Sequence, residues 1–69
     1  MPLTVAQTGE KNTILRIGGN PETRKHLENM GFVPGGDVTV INSLAGNVIV
    51  IVKETRVAIS KEMARHIMI

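Results

Sequence analysis

Two Glu-x-x-x-His pairs are the residues of this chain whose types and spacing could do chemistry. Glu22 precedes His26 by four positions, and Glu62 precedes His66 by four. Residues four apart share one face of a helix, and a carboxylate with an imidazole can bind a divalent metal ion. Two such pairs brought together would supply four ligands. A weak divalent-metal chaperone is therefore one hypothesis, but an ordinary intrahelical Glu-His pair is the interpretation we prefer.

The remaining inventory offers no catalytic constellation. The chain has no cysteine and no tyrosine, and its serines are Ser43 and Ser60, neither of which lies in a nucleophile motif. The acidic residues stand singly in turns and helices. We therefore expect no enzyme activity and no cofactor.

Length and composition indicate one small domain that spans residues 1–69. The chain is 42% hydrophobic, its single aromatic residue is Phe32, and its net charge is +2. Without cysteine it has no disulfide, so an aliphatic core must stabilise it. It has neither a signal peptide nor an apolar run long enough to span a membrane, and we expect a cytoplasmic protein.

Cap residues predict two short helices. Asn20 can cap the first, Pro21 suits its first position and Glu22 favours the positive end of the helix dipole. Gly31 supplies a left-handed end after Met30. Ser60 can cap a second helix, from Lys61 to about His66.

Alternation and β-branched residues predict about five short strands. They are Lys11 to Ile17, Asp37 to Asn42, Val48 to Lys53, Arg56 to Ile59 and Ile67 to Ile69, with a hairpin loop at Ser43 to Asn47 and a tight turn at Glu54-Thr55. Short antiparallel strands in so small a chain favour closure, because a barrel removes open sheet edges. The predicted fold is mainly β: a small β-barrel with two short helices.

Protein binding is the function that the strand pattern favours. Along Val48 to Val52, alternate side chains face opposite sides, and only one set can fill a single-layer barrel. The other set, with Ile49 and Ile51, should form a partly exposed apolar stripe, which is typical of an interface. A strand covered on both faces and homo-oligomerisation are the alternatives.

Nucleic-acid binding is a second alternative, since small barrels often serve it. A basic patch could form from Arg16, Lys53 and Arg56. Aromatic side chains that could stack on bases are missing, however, because Phe32 is the one aromatic residue and directly follows the end of a helix.

Several segments resemble the ferrous iron transport protein A family, over almost the whole chain. They are Thr8-Gly9-Glu10-Lys11, Ile14 to Gly19, Leu27-x-x-Met30-Gly31-Phe32-x-Pro34-Gly35, Asp37-Val38-x-Val40 and Val57-Ala58-Ile59-Ser60-Lys61-x-x-Ala64-x-x-Ile67. The segment from Leu27 to Gly35 is the most specific. The chain departs from the family at Ser43 to Asn47, where many members have proline, and at Glu54-Thr55, where many have glycine.

The resemblance implies an SH3-like barrel without established catalytic residues. It further implies an accessory protein of ferrous iron uptake, which binds and modulates a membrane permease that has a cytosolic GTP-binding domain. The chain would then be membrane-associated only through that permease. The partner-binding residues expected on this interpretation lie on the apolar strand and on the rim that follows the first helix: Ile49, Ile51, Leu27, Met30, Phe32 and Pro34.

Overall fold

Six strands, two α-helices and one 3₁₀ helix make up the computed structural model, which describes residues 1–69. In chain order they are the 3₁₀ helix Leu3–Val5, β1 Lys11–Thr13, β2 Arg16–Ile17, α1 Pro21–Asn29, β3 Asp37–Leu44, β4 Asn47–Val52, β5 Thr55–Ser60, α2 Lys61–Ala64 and β6 Ile67–Met68. The predicted mainly β fold of short strands with two short helices is confirmed. Neither α-helix is long enough, or apolar enough, to cross a membrane.

The strands form two antiparallel sheets. The larger sheet has the order β1-β3-β4-β5, and the smaller one pairs β2 with β6. Pro2 makes an isolated antiparallel bridge with Met68, so the two ends of the chain lie side by side. Pairing of β2 with β6 confirms that the last apolar residues return as a strand.

The predicted strand Lys11 to Ile17 is wrong as a single element. It is divided at Ile14 and Leu15 into β1 and β2, which belong to different sheets. The Ile14 N–H donates to the Gly36 carbonyl at 2.8 Å, and the Leu15 N–H donates to the Met68 carbonyl at 2.8 Å. The chain therefore turns from one sheet to the other while its backbone groups stay paired.

The core lies between the two sheets and beneath α1. On β4, Val48, Val50 and Val52 are buried, as alternation predicts for the inward face. One cluster of 13 residues forms the whole core, and Phe32 and Leu27 lie fully inside it. Aliphatic side chains and one phenylalanine thus stabilise a chain that has no disulfide.

Both predicted helix caps are confirmed. The Asn20 side chain accepts a hydrogen bond from the Thr23 N–H at 2.8 Å, and the Ser60 hydroxyl accepts one from the Met63 N–H at 3.1 Å. Gly31 has a φ of +105°, a conformation that favours glycine. The second helix, however, ends at Ala64 and does not reach His66.

Two tight hairpin turns differ from their predicted positions. The first is shorter than the loop Ser43 to Asn47, because β3 extends to Leu44 and only Ala45 and Gly46 lie between β3 and β4. The second lies one residue earlier than predicted, at Lys53 and Glu54, since Val52 pairs with Thr55. Two-residue turns with positive φ match the right-handed twist of paired strands, which selects these positions.

Candidate functional site

Two isoleucines of β4, Ile49 and Ile51, face outward on the four-stranded sheet. Thr39, Ile51 and Arg56 are direct cross-strand neighbours on β3, β4 and β5. Ile51 is 39% exposed and Ile49 is half-buried, whereas Val50 between them is fully buried. The strand therefore divides its side chains as expected, with one set in the core and the other facing outward. These outward isoleucines mark a candidate protein-binding surface on the outer sheet face.

A shallow depression of about 310 Å³ lies on this outer face and contains Ile51. The rest of its lining is polar or charged, with two lysines, two acidic residues and one threonine: Lys11, Lys53, Asp37, Glu54 and Thr39. Positive and negative charges are equal in number, so neither sign dominates. A mixed-charge rim around an apolar centre suits a protein partner better than a polyanion, which needs concentrated positive charge.

The turn beside this depression has a strained backbone. Lys53 has a φ of +50° and Glu54 a φ of +62°, and both line the depression. Non-glycine residues in the left-handed region cost about 1 kcal/mol or more each, and such strain often accumulates at binding sites. The sequence predicts a tight turn in this region, but at Glu54-Thr55, which is one residue too late.

The expected rim from Leu27 to Pro34 is only partly accessible. Leu27 and Phe32 are fully buried, so in this structure their side chains offer no surface to a partner. Both fill the core because α1 must pack on the barrel through its apolar side. Met30 is half-buried and Pro34 is exposed, so these two remain available.

The two Glu-x-x-x-His pairs do not assemble into a metal site. Nowhere in the chain do three or more histidine, aspartate or glutamate side chains come together as candidate ligands. Glu22 and His26 are exposed on α1, where they line a shallow cleft that also contains Met63. Glu62 is exposed on α2.

His66 departs further from the expectation, because it lies beyond the end of α2. Its N–H donates to the Met63 carbonyl at 3.1 Å rather than to the carbonyl of Glu62. Its ring packs against the loop before α1, where a Cβ added at Gly19 would lie 3.3 Å from His66 Nδ1. The pair Glu62 and His66 therefore does not share one helix face, and the four-ligand hypothesis lacks its second half.

The residues of the hypothetical basic patch lie on different sheets. Arg16 is on β2 of the small sheet, whereas Arg56 is on β5 and Lys53 is in the turn that precedes it. Phe32 is fully buried, so no aromatic side chain is available for base stacking. The structure therefore gives no support to the nucleic-acid alternative.

One further cleft was missed at the sequence level. It has a volume of about 140 Å³ and lies between the 3₁₀ helix and the β3–β4 hairpin. Its lining combines hydroxyl groups, one lysine and apolar side chains: Thr4, Thr8, Ser43, Lys61, Leu3, Ala6, Val40 and Val48. Four separate segments of the chain contribute to it, and local sequence patterns carry no signal for such a meeting.

Two small antiparallel sheets around one core, with α1 inserted between β2 and β3, define an SH3-like barrel. Known structures agree with this class. A crystal structure of the iron uptake regulatory protein FeoA superimposes with a TM-score of 0.87 at 33% identity, over 96% of this chain and 88% of that one. Zinc-complexed FeoA from Stenotrophomonas maltophilia, described as an SH3 domain protein, gives 0.84 at 22% identity, over 99% and 87%.

The FeoA domain family matches the chain over residues 1–69, and the protein belongs to this family, which is associated with ferrous iron transport. A manganese-dependent transcriptional repressor shares the fold, with a TM-score of 0.85 at 20% identity. The likeness covers 97% of this chain but only 39% of the repressor. No functionally curated protein matches the chain.

Proposed function

We propose that this protein is a cytoplasmic accessory protein of ferrous iron uptake, which binds the cytosolic GTP-binding part of a membrane permease and modulates it. The observation that carries the proposal is the exposed Ile51 at the centre of the outer sheet face. Membership of the FeoA family supplies the link to ferrous iron transport. The S. maltophilia relative has itself been proposed as a bacterial ferrous iron transport activating factor.

The proposed contact surface is the outer face, with Ile49 and Ile51 at its centre and the turn Lys53-Glu54 at one side. Met30 and Pro34 extend it beyond the barrel, because Gly31 brings α1 close to that turn. A Cβ added at Gly31 would lie 3.5 Å from Lys53 Cδ. Burying apolar surface here releases about 25 cal/mol per Å², and the mixed charges of the rim orient the partner.

The first test measures ferrous iron uptake by anaerobic cells of the source organism, with the permease intact. Cells that lack this protein should lose most uptake and regain it with the wild-type chain. The Ile51→Asp variant should fail to restore uptake, because it removes the exposed apolar side chain at the centre of the contact and replaces it with a charged group that must be desolvated on binding. Leu15→Asp is the matched control, since Leu15 is 65% exposed and lies away from this face.

A binding experiment separates contact from indirect effects. The purified full-length permease should bind the wild-type and Leu15→Asp proteins equally, and Ile51→Asp at least tenfold more weakly. Val50→Asp serves as the unfolded reference, because that side chain is fully buried. Equal binding by the wild type and a folded Ile51→Asp variant would move the contact away from the outer face. Unchanged uptake without the protein would overturn the proposed function itself.

A further inference from the structure

The cleft between the 3₁₀ helix Leu3–Val5 and the β3–β4 hairpin has the composition of a peptide-binding site. We propose that it receives a partner polypeptide segment in which an aliphatic side chain and a carboxylate side chain point to the same side. The cleft shares no residue with the depression on the outer sheet face. The proposal therefore goes beyond the iron-uptake function and does not depend on it.

Charge is the first argument for an acidic occupant. Lys61 is the one charged residue of the cleft, and no aspartate or glutamate lines it. None of the hydrogen bonds made by side chains in this chain involves the Lys61 ammonium group. A carboxylate is the natural complement of a lysine that has no acidic neighbour in its cleft.

Hydroxyl groups strengthen the same preference. Thr4, Thr8 and Ser43 each bring an O–H that can donate to a carboxylate oxygen. The Ser43 hydroxyl meets the Asn47 carbonyl only at 3.5 Å, and neither threonine hydroxyl has a hydrogen-bond partner within the chain. The two threonine hydroxyls are therefore free to bind an incoming acceptor, and the long Ser43 hydrogen bond can be exchanged for one to the acceptor.

Apolar surface provides the second half of the recognition. Half-buried Ala6 lines the cleft together with Leu3, Val40 and Val48, which belong to the buried core and reach the cleft with only a small part of each side chain, so the cleft has an apolar floor. A volume of about 140 Å³ accommodates one aliphatic side chain and not a larger ligand. One anchor side chain with a nearby carboxylate matches both the size and the composition.

One exposed hydrophobic residue next to the cleft favours a polypeptide over a small free acid. Val5 is 56% exposed and lies between the lining residues Thr4 and Ala6. A bound chain would cover Val5 on its way past the cleft, whereas a molecule confined to the cleft would leave it in water.

The test is an NMR titration of the whole ¹⁵N-labelled protein with a synthetic peptide, acetyl-Gly-Ser-Leu-Ser-Asp-Ser-Gly-amide. In an extended peptide, the leucine and the aspartate two positions later point to the same side. Amide shifts should centre on the cleft lining, with a dissociation constant of about 1 mM, as expected for a single anchor. Peptides with asparagine for aspartate, or glycine for leucine, should bind at least fivefold more weakly.

Protein variants locate the contact. Lys61→Gln should weaken binding of the aspartate peptide about threefold, as expected for an exposed ion pair, and leave binding of the asparagine peptide unchanged, whereas Lys25→Gln on α1 should change neither. Ser43→Leu should obstruct the cleft and abolish binding. The amide chemical shifts of residues far from position 43 should match those of the wild type, which shows that the variant remains folded. Isobutyrate, the small free acid, should produce no comparable shifts. Equal binding of the aspartate and asparagine peptides, shifts centred elsewhere, or no shifts at 5 mM peptide would each overturn the proposal.

Discussion

Three residues other than glycine adopt positive φ, and all three lie in hairpin turns. They are Ala45 at +50°, Lys53 at +50° and Glu54 at +62°. A Cβ in this region approaches the carbonyl oxygen that follows it, which raises the energy of the folded chain. The β4–β5 turn has neither glycine nor asparagine at its two positive-φ positions, whereas the β3–β4 turn has Gly46 at one of them. The β4–β5 turn is therefore the more strained of the two.

Relaxing that turn should stabilise the protein. Lys53→Asn combined with Glu54→Gly places an Asn-Gly pair at the two positions that need positive φ, and should raise the free energy of unfolding by about 1 kcal/mol. For a domain of this size, the midpoint of thermal unfolding should rise by roughly 4–8 °C, measured by far-UV circular dichroism.

The opposite change serves as the control for that experiment. Gly46 has a φ of +82° and open space around it, so Gly46→Ala introduces backbone strain without a steric contact. It should lower the midpoint by a comparable amount. If the Asn-Gly variant were less stable than the wild type, side-chain contacts of Lys53 or Glu54 would outweigh the strain. Loss of permease binding in the stabilised variant would indicate that the strained turn serves recognition.

At the scale of single elements, α1 depends on its cap. Nine residues are too few for a stable isolated helix, and only Leu27 in α1 is buried. The hydrogen bond from the Thr23 N–H to Asn20 Oδ1 therefore contributes substantially to this segment. Asn20→Ala should lower the free energy of unfolding by about 1 kcal/mol, and Asn20→Asp should retain most of it, as measured by urea unfolding. A neutral alanine substitution would show that packing of Leu27 and Phe32 alone holds the helix.

Elements that depend on local chemistry could be predicted from the sequence, whereas those set by distant partners could not. The cap at Asn20 and the left-handed Gly31 involve neighbours within a few residues, and both were predicted correctly. The division at Ile14 and Leu15 is fixed by carbonyls of Gly36 and Met68, which are remote in sequence. Periodicity in that stretch indicates an extended backbone but cannot tell where the chain changes sheets.

In the candidate site, too, local patterns predict some features, whereas features set by distant segments could not be predicted. The outward face of β4 followed from alternation, since every second residue there, each a valine, had to fill the core. The burial of Leu27 and Phe32 depends on where α1 docks, which local spacing does not reveal. The cleft around Lys61 requires the 3₁₀ helix, β3, β4 and α2 to meet, and the sequence of no single segment predicts that arrangement.

At the scale of the whole molecule, one core joins the two sheets. Ile17 on β2 and Ile67 on β6 belong to the same buried cluster as the valines of β3 and β4. Both sheets should therefore unfold in one cooperative transition, although the smaller sheet has only two residues in each strand.

A conservative substitution tests this cooperativity. Ile67→Val removes one methyl group from a fully buried side chain and should cost about 1 kcal/mol. Native-state amide hydrogen exchange should show this loss equally at Leu15, whose N–H bonds to Met68, and at the slowest amides of β3 and β4. Faster exchange confined to Leu15 and its neighbours would show that the small sheet opens independently.

The scarcity of aromatic residues has an optical consequence. With no tryptophan and no tyrosine, and with Phe32 as its one aromatic residue, the protein barely absorbs at 280 nm and has no intrinsic fluorescence above 300 nm. A single tryptophan would therefore emit against a dark background. Placed at Ile51 it would report the environment of the outer sheet face, and placed at Val5 that of the cleft rim. Two variants of the protein, each with one tryptophan at one of these positions, could thus show which of its two surfaces a partner contacts.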